Sequence, residues 1–144
     1  MAKVYSICIS EKTGTLKTPV LKARVSNLGI VGDAHAREGN RQITLMNYDD
    51  LAELSRAEGR EFMPGDMAEN IIVEGLDFSL CQPGTRLALG DRVVVEVSQI
   101  GKEDHPSIVT KTFGVSILPY KGLFCRVISG GELKVGDKVE IAQG

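Results

Sequence analysis

Apolar residues recur in short runs separated by polar turns: Val4 to Ile9, Ile43 to Met46, Ile71 to Val73, Arg86 to Leu89, Val93 to Val97, Leu123 to Ile128 and Lys138 to Ile141. Alternating or β-branched runs of this length are the mark of strands that bury at least one face. Most of the protein is therefore expected to be sheet. One segment departs from the pattern: Tyr48, Leu51 and Leu54 recur at threes, Asn47 and Asp50 resemble a capping box, and Gly59 supplies a stop. This predicts one substantial helix over Tyr48 to Glu58.

A weak internal repeat appears when the segment from Gly84 to Val93 is laid over the segment from Gly131 to Val139, with a slip of one Gly. Both copies carry Gly-Asp between strand-like runs, at Gly90-Asp91 and Gly136-Asp137. Such a turn needs a residue that tolerates positive φ and an Asp that satisfies nearby backbone N–H groups, so both copies read as hairpins. Hairpins, one helix and no βαβ alternation predict a mostly antiparallel sheet curled into a barrel, which hides its edges by closure. Gly101 to Gly122 fits neither periodicity, and so long a connection in one domain is either functional or disordered.

The 144 residues suit one domain spanning the chain from 1 to 144. A 42% hydrophobic share against 25% charged residues is enough for a packed core. A net charge of −2 removes the whole-chain attraction behind most nucleic-acid affinity, which argues against that partner and leaves room for a local basic pocket. The densest apolar runs, Ile71-Ile72-Val73 and Val93-Val94-Val95, are far too short for a membrane helix, so no membrane is expected as partner. The opening residues read as a strand rather than a secretory signal, which makes a cytoplasmic location the expectation. Cys8, Cys81 and Cys125 are far apart and lack Cys-x-x-Cys spacing, so neither a disulfide framework nor a cysteine zinc site is encoded. Cys8 and Cys125 sit in apolar strand patterns that predict burial; Cys81, before Gln82-Pro83-Gly84, looks reachable.

Candidate chemistry centres on polar loops. His35 in Gly32-Asp33-Ala34-His35 and His105 in Glu103-Asp104-His105-Pro106 are the two histidines. Either they converge as anion ligands or acid–base groups, with Asp104 and His105 as the catalytic candidates, or each bonds the Asp near it. No metal site is expected, because no His-x-x-x-His spacing exists. The segment from Gly65 to Asn70 is either a ligand-gripping loop, with Glu69 and Asn70 as its polar groups, or a turn formed for local reasons. Among the basic residues, Arg41 opens a strand and Arg126 sits mid-strand beside Cys125. A buried Arg126 would need an anionic partner or ligand; otherwise it snorkels to water. Strand alternation also separates Arg126 from the Cys125 sulfur, which favours an inert thiol. Hydrolase triads, Walker loops and dinucleotide fingerprints are absent.

The ordered set Gly29-Ile30-Val31-Gly32-Asp33-Ala34-His35, Arg41-Gln42, Pro64 to Ile71, Gln99 to Glu103, Gly122-Leu123-Phe124 with Arg126-Val127-Ile128, and Gly136-Asp137 resembles the MOSC domain, the molybdenum cofactor sulfurase C-terminal domain. The resemblance implies a β-rich, barrel-like fold and a standalone module that binds molybdenum cofactor (molybdopterin) or a related anionic pterin, or carries activated sulfur. It further implies His35, Arg41, Glu69, Asn70, Lys102 and Arg126 as cofactor-binding positions, a pterin-type small molecule as ligand, and a molybdoenzyme or cofactor-biosynthesis protein as partner. The pyridoxal phosphate of the sulfurases belongs to another domain and is not expected here. Similar standalone members read Glu-Cys-His where this chain has Glu103-Asp104-His105, and a carboxylate cannot carry a persulfide. Three other readings stand beside the binding module: detoxification of N-hydroxylated compounds with bound molybdenum cofactor, a non-catalytic protein docking on a molybdoenzyme, and a small acid–base enzyme.

Overall fold

Strand alternation takes its expected form in β8, Val93–Ile100, where Val93, Val95 and Val97 are buried and Val94 and Glu96 only partly so. The computed structural model describes residues 1–142. Its strands begin with β1 (Lys3–Ile9), β2 (Thr18–Val20), β3 (Lys22–Ser26), β4 (Gly29–Ile30) and β5 (Ile43–Asn47). Helix α1 (Tyr48–Glu58) is followed by β6 (Ile71–Glu74), a short 3-10 turn, β7 (Arg86–Leu89) and β8. Two short helices, α2 (Ile108–Phe113) and α3 (Leu118–Lys121), lead to β9 (Leu123–Ser129), β10 (Gly131–Lys134) and β11 (Val139–Ala142).

Eight strands form one sheet in the order β11-β7-β8-β9-β5-β6-β1-β2, and β10-β3-β4 form a second. The expected closure into a barrel is not found. Backbone hydrogen bonds between residues 2–4 and 136–139, around the Lys3–Lys138 bridge, bring the start of β1 against the start of β11, but they do not extend into a strand ladder that seals the large sheet. Nor is pairing wholly antiparallel: β5 and β6 run parallel, with α1 as their crossover. The reason lies in the continuous apolar runs of these two strands, whose residues Ile43 to Met46 and Ile71 to Val73 are all buried. Such strands are covered on both faces. One face meets the main core of Ile7, Leu45, Val95 and Cys125; the other meets a second core of Met46, Leu51, Ile72 and Phe124 beneath the helices.

The helix α1 has the boundaries its periodicity predicts. Asn47 caps it by accepting a hydrogen bond from the Asp49 N–H at 3.0 Å, and Gly59 stops it at φ 67°. Asp50 is not part of a capping box; it receives Lys121 from α3 at 3.4 Å. The first Gly-Asp turn joins the antiparallel pair β7 and β8 as a hairpin. The second does not, because β10 pairs with β3 while β11 pairs with β7. Gly136-Asp137 instead carries the chain from the small sheet to the large one. The stretch from Gly101 to Gly122 is ordered around α2 and α3, too short to declare a helical period in sequence. Ser107 and Thr110 form a reciprocal capping box at α2.

Candidate functional site

A cavity of about 670 Å³ lies over the end of β5 and β9, walled by the loops around residues 35–41, 67–68 and 102–109. Its lining gathers the cations Arg37, Arg41 and Lys102 and the imidazoles of His35 and His105, against the carboxylates Glu38 and Glu103. Phe124, buried in β9, forms part of the floor. The Arg41 guanidinium lies 5.4 Å and the Lys102 ammonium 5.9 Å from the centre of its ring, so both cations gather around one aromatic side chain. Arg41 also pairs with Glu103 at 3.0 Å. Burial and the neighbouring Arg41 charge lower the Lys102 pKa from its ordinary value, with Glu103 opposing them. A partly desolvated ammonium beside a guanidinium gains from any anion that enters.

The backbone holds these groups in place. Lys102 N–H donates to the Pro119 carbonyl at 3.0 Å, and Gly101 N–H to that of Gly122 at 2.8 Å. Gln42 is buried and braces the His35–Arg41 loop against β9: its Nε2 donates to the Arg37 carbonyl at 3.1 Å, and its Oε1 accepts from Val127 N–H at 2.8 Å. Ala68, on the cavity wall, takes a φ of 61°. A non-glycine residue rarely adopts that conformation, and strain of this kind clusters at functional surfaces.

The carboxylate and amide of the 65–70 loop face away from the cavity. Glu69 is fully buried, and its two oxygens accept from Gly65 N–H at 2.6 Å and Met67 N–H at 3.2 Å. Burial pushes its pKa up to about 7, although the backbone hydrogen bonds pull the other way. Asn70, also fully buried, accepts from Thr44 N–H at 3.0 Å and donates to the Cys8 carbonyl at 3.1 Å, tying β1, β5 and the start of β6 together. Both residues shape the wall that carries Met67 and Ala68.

Of the remaining sequence candidates, His35, Arg41, Lys102 and His105 are brought together on the lining. Asp104 lies off it and is held by the Tyr120 hydroxyl, which donates to its carboxylate. Arg126 lies outside the cavity. Its guanidinium is exposed and donates twice to Glu96 Oε2, at 3.0 and 2.6 Å, while Arg86 holds the other oxygen of that carboxylate at 3.2 Å. Alternation turns Cys125 inward and Arg126 outward, as the snorkelling alternative requires.

The thiols are all buried, and here the expectation for Cys81 fails: it is 0% exposed, packed in the main core behind its turn. Burial raises the Cys8 thiol to about 12, reinforced by Glu69 and opposed by Lys17, and it raises Cys81 and Cys125 as well. No cysteine lines the cavity. Among the described residues, no group of three His, Cys, Asp or Glu side chains stands close enough to hold a metal ion.

Sequence reading missed Lys17. Its ammonium is buried and pairs with Asp33 at 2.7 Å, and Asp33 in turn accepts from the backbone N–H of Ser10 and of His35. Burial alone would raise the Asp33 carboxyl, but the nearby His35 ring, the Lys17 ammonium and the Ser10 N–H outweigh it and hold the pKa well below the usual carboxylate range. Nothing near Lys17 in sequence announces this pair, because its partner lies 16 residues on.

An open β sheet with one parallel pair carries above it a cavity lined by Arg37, Arg41 and Lys102. The MOSC domain model matches residues 31–140, and the chain belongs to that family. No curated protein matches the chain. Among solved structures, the YuaD protein from Bacillus subtilis is similar with a TM-score of 0.77 at 18% identity, over 99% of this chain and 97% of that one. YiiM from Geobacillus stearothermophilus gives 0.79 at 21% identity, over 99% of this chain and 76% of that one. YiiM from Escherichia coli gives 0.73 at 17%, over 100% and 71%. These likenesses describe the fold. Within the described residues, no helix is long and apolar enough to cross a membrane.

Proposed function

We propose that the cavity binds an anionic, hydrogen-bonding ligand of the pterin phosphate type, molybdenum cofactor or a related molybdopterin, in cofactor maturation or molybdoenzyme function. The observation that carries this reading is the convergence of Arg41 and Lys102 over Phe124, with His35 and His105 on the same lining. Guanidinium and ammonium groups suit a phosphate, and imidazole N–H groups suit phosphate or ring oxygens. A volume of about 670 Å³ lies within the range of small-molecule and cofactor sites. The family itself is associated with this cofactor.

The donor set fits one end of that cofactor better than the other. Arg41, Lys102 and the histidines would hold its phosphate and pterin edges. The lining offers no thiolate for molybdenum, and Asp104, where similar members carry cysteine, is engaged by Tyr120. A persulfide-carrying role therefore has no support at that position, and the binding role does. The chemistry this chain supplies is charge neutralisation and orientation of a bound anion.

Calorimetric titration of the protein with a pterin phosphate tests the reading. Arg41→Ala and Lys102→Ala are each expected to weaken binding roughly 10- to 1,000-fold, the usual effect of losing a charge-assisted donor. Equal affinity in wild type and both variants would dispose of the pocket.

A further inference from the structure

The buried cluster behind the cavity has a feature that the binding role leaves unexplained. Lys17 spends its whole donor capacity on three neighbours: Asp33 Oδ1 at 2.7 Å, Ser10 Oγ at 3.2 Å and His35 Nδ1 at 3.2 Å. An ammonium has three N–H donors and no acceptor. The Lys17 side chain is 1% exposed and forms an ion pair with Asp33. A proton on His35 Nδ1 would therefore point at another donor. The competing acceptor, Asp33 Oδ2, lies 3.7 Å from Nδ1, beyond hydrogen-bond distance, and already accepts from the His35 backbone N–H at 3.2 Å.

We infer that Lys17 is a positioning residue that fixes His35 in the Nε2–H tautomer, so that the cavity presents a preset N–H donor to an oxyanion, phosphate or carboxylate. The ring is partly exposed and lines the cavity, and its Nδ1 edge faces the buried ammonium, which leaves Nε2 to meet a ligand. Which ring nitrogen carries the proton is set by the bond the other one makes. Lys17 and Asp33 pull in opposite directions: a donor at Nδ1 forces the proton to Nε2, whereas Asp33 alone would draw it to Nδ1. Without Lys17, the ring would turn a lone pair toward the cavity and repel an anionic oxygen. The inference rests on the anion-binding reading for its ligand, but not for the tautomer itself.

The experiment is nitrogen and carbon NMR of histidine-labelled protein at alkaline pH, where the rings are neutral, with His105→Gln to assign the two signals. Wild type is expected to show His35 Nδ1 unprotonated and shifted by an accepted hydrogen bond. Lys17→Met should move the proton to Nδ1 and Lys17→Arg should keep it on Nε2. Titration with inorganic phosphate should show about tenfold weaker binding for Lys17→Met than for wild type. A protonated Nδ1 in wild type, or the same tautomer in wild type and Lys17→Met, would overturn the inference. If Lys17→Met does not fold, the wild-type Nδ1 signal decides alone. A tautomer that moves with no change in phosphate affinity removes the donor role of His35. A wild type that binds neither phosphate nor a pterin phosphate refutes the proposed function, and the tautomer shifts still decide what Lys17 does.

Discussion

Glu69 ties the cavity wall to pH, and replacing it with Gln tests how. Its pKa, raised from 4.5 to about 7 by burial, means that the folded protein holds a proton the unfolded chain has already released. Where the native state binds more protons, stability falls as pH rises. The loss should begin near 4.5, run to about 7 and then level off. At roughly 1.4 kcal/mol for each pH unit, it amounts to about 3 kcal/mol. Asp33 acts in the opposite sense. Its depressed pKa supplies stability that is present above the ordinary carboxylate range and lost as pH falls below about 4, so the two effects do not overlap. Glu69→Gln removes the titration. Its single carbonyl oxygen can serve only one of the two N–H groups, of Gly65 and Met67, that the carboxylate now accepts from. An unsatisfied buried donor costs about 1–3 kcal/mol. The variant should therefore be less stable than wild type by about that amount near pH 5, and should come close to it near pH 8 as wild type pays for ionising Glu69. Urea unfolding across that range reads both. An equal decline with pH in wild type and Glu69→Gln would refute the assignment.

Arg126→Ala should leave pterin phosphate affinity unchanged, since Arg126 pairs with Glu96 outside the cavity; weakening comparable to Arg41→Ala would return it to the site. Gly65 and Gly136 share a φ of 93°, but a Cβ on Gly65 would lie 2.0 Å from the Lys17 carbonyl oxygen whereas one on Gly136 meets nothing within 4 Å. Gly136→Ala should cost only the conformational strain, about 1–2 kcal/mol, and Gly65→Ala distinctly more; equal melting temperatures would show that the collision is absent. Alkylation of the native protein should be slow at all three cysteines and become fast only with unfolding, because burial suppresses each thiolate. Rapid native labelling of Cys81, followed by mass spectrometry, would restore it as a reachable thiol.

Local pattern determined β1, β5 to β9 and β11, the limits of α1 and the inward turn of Cys8 and Cys125, because each depends on periodicity or on residues a few positions apart; β2, β3 and β4, short and mostly polar or paired only through distant partners, it did not mark. It also marked His35, Arg41, Lys102 and His105, polar groups in loops or at element ends, where the cavity forms. What pairs with what was beyond it. The parallel β5–β6 pair, the departure of β10 and β11 into different sheets, and the failure of the large sheet to close depend on which distant strand lies alongside. Burial was likewise legible only on average: Cys81 looks exposed beside its Pro-Gly turn, yet the tertiary core covers it. The same is true of charge. Neither Arg126, in β9, nor Lys17, just before β2, carries a local mark of its partner, but Glu96 meets one at the surface and Asp33 meets the other inside. A charge is stable in the interior only beside its counterion, and only the folded chain brought Asp33 to Lys17.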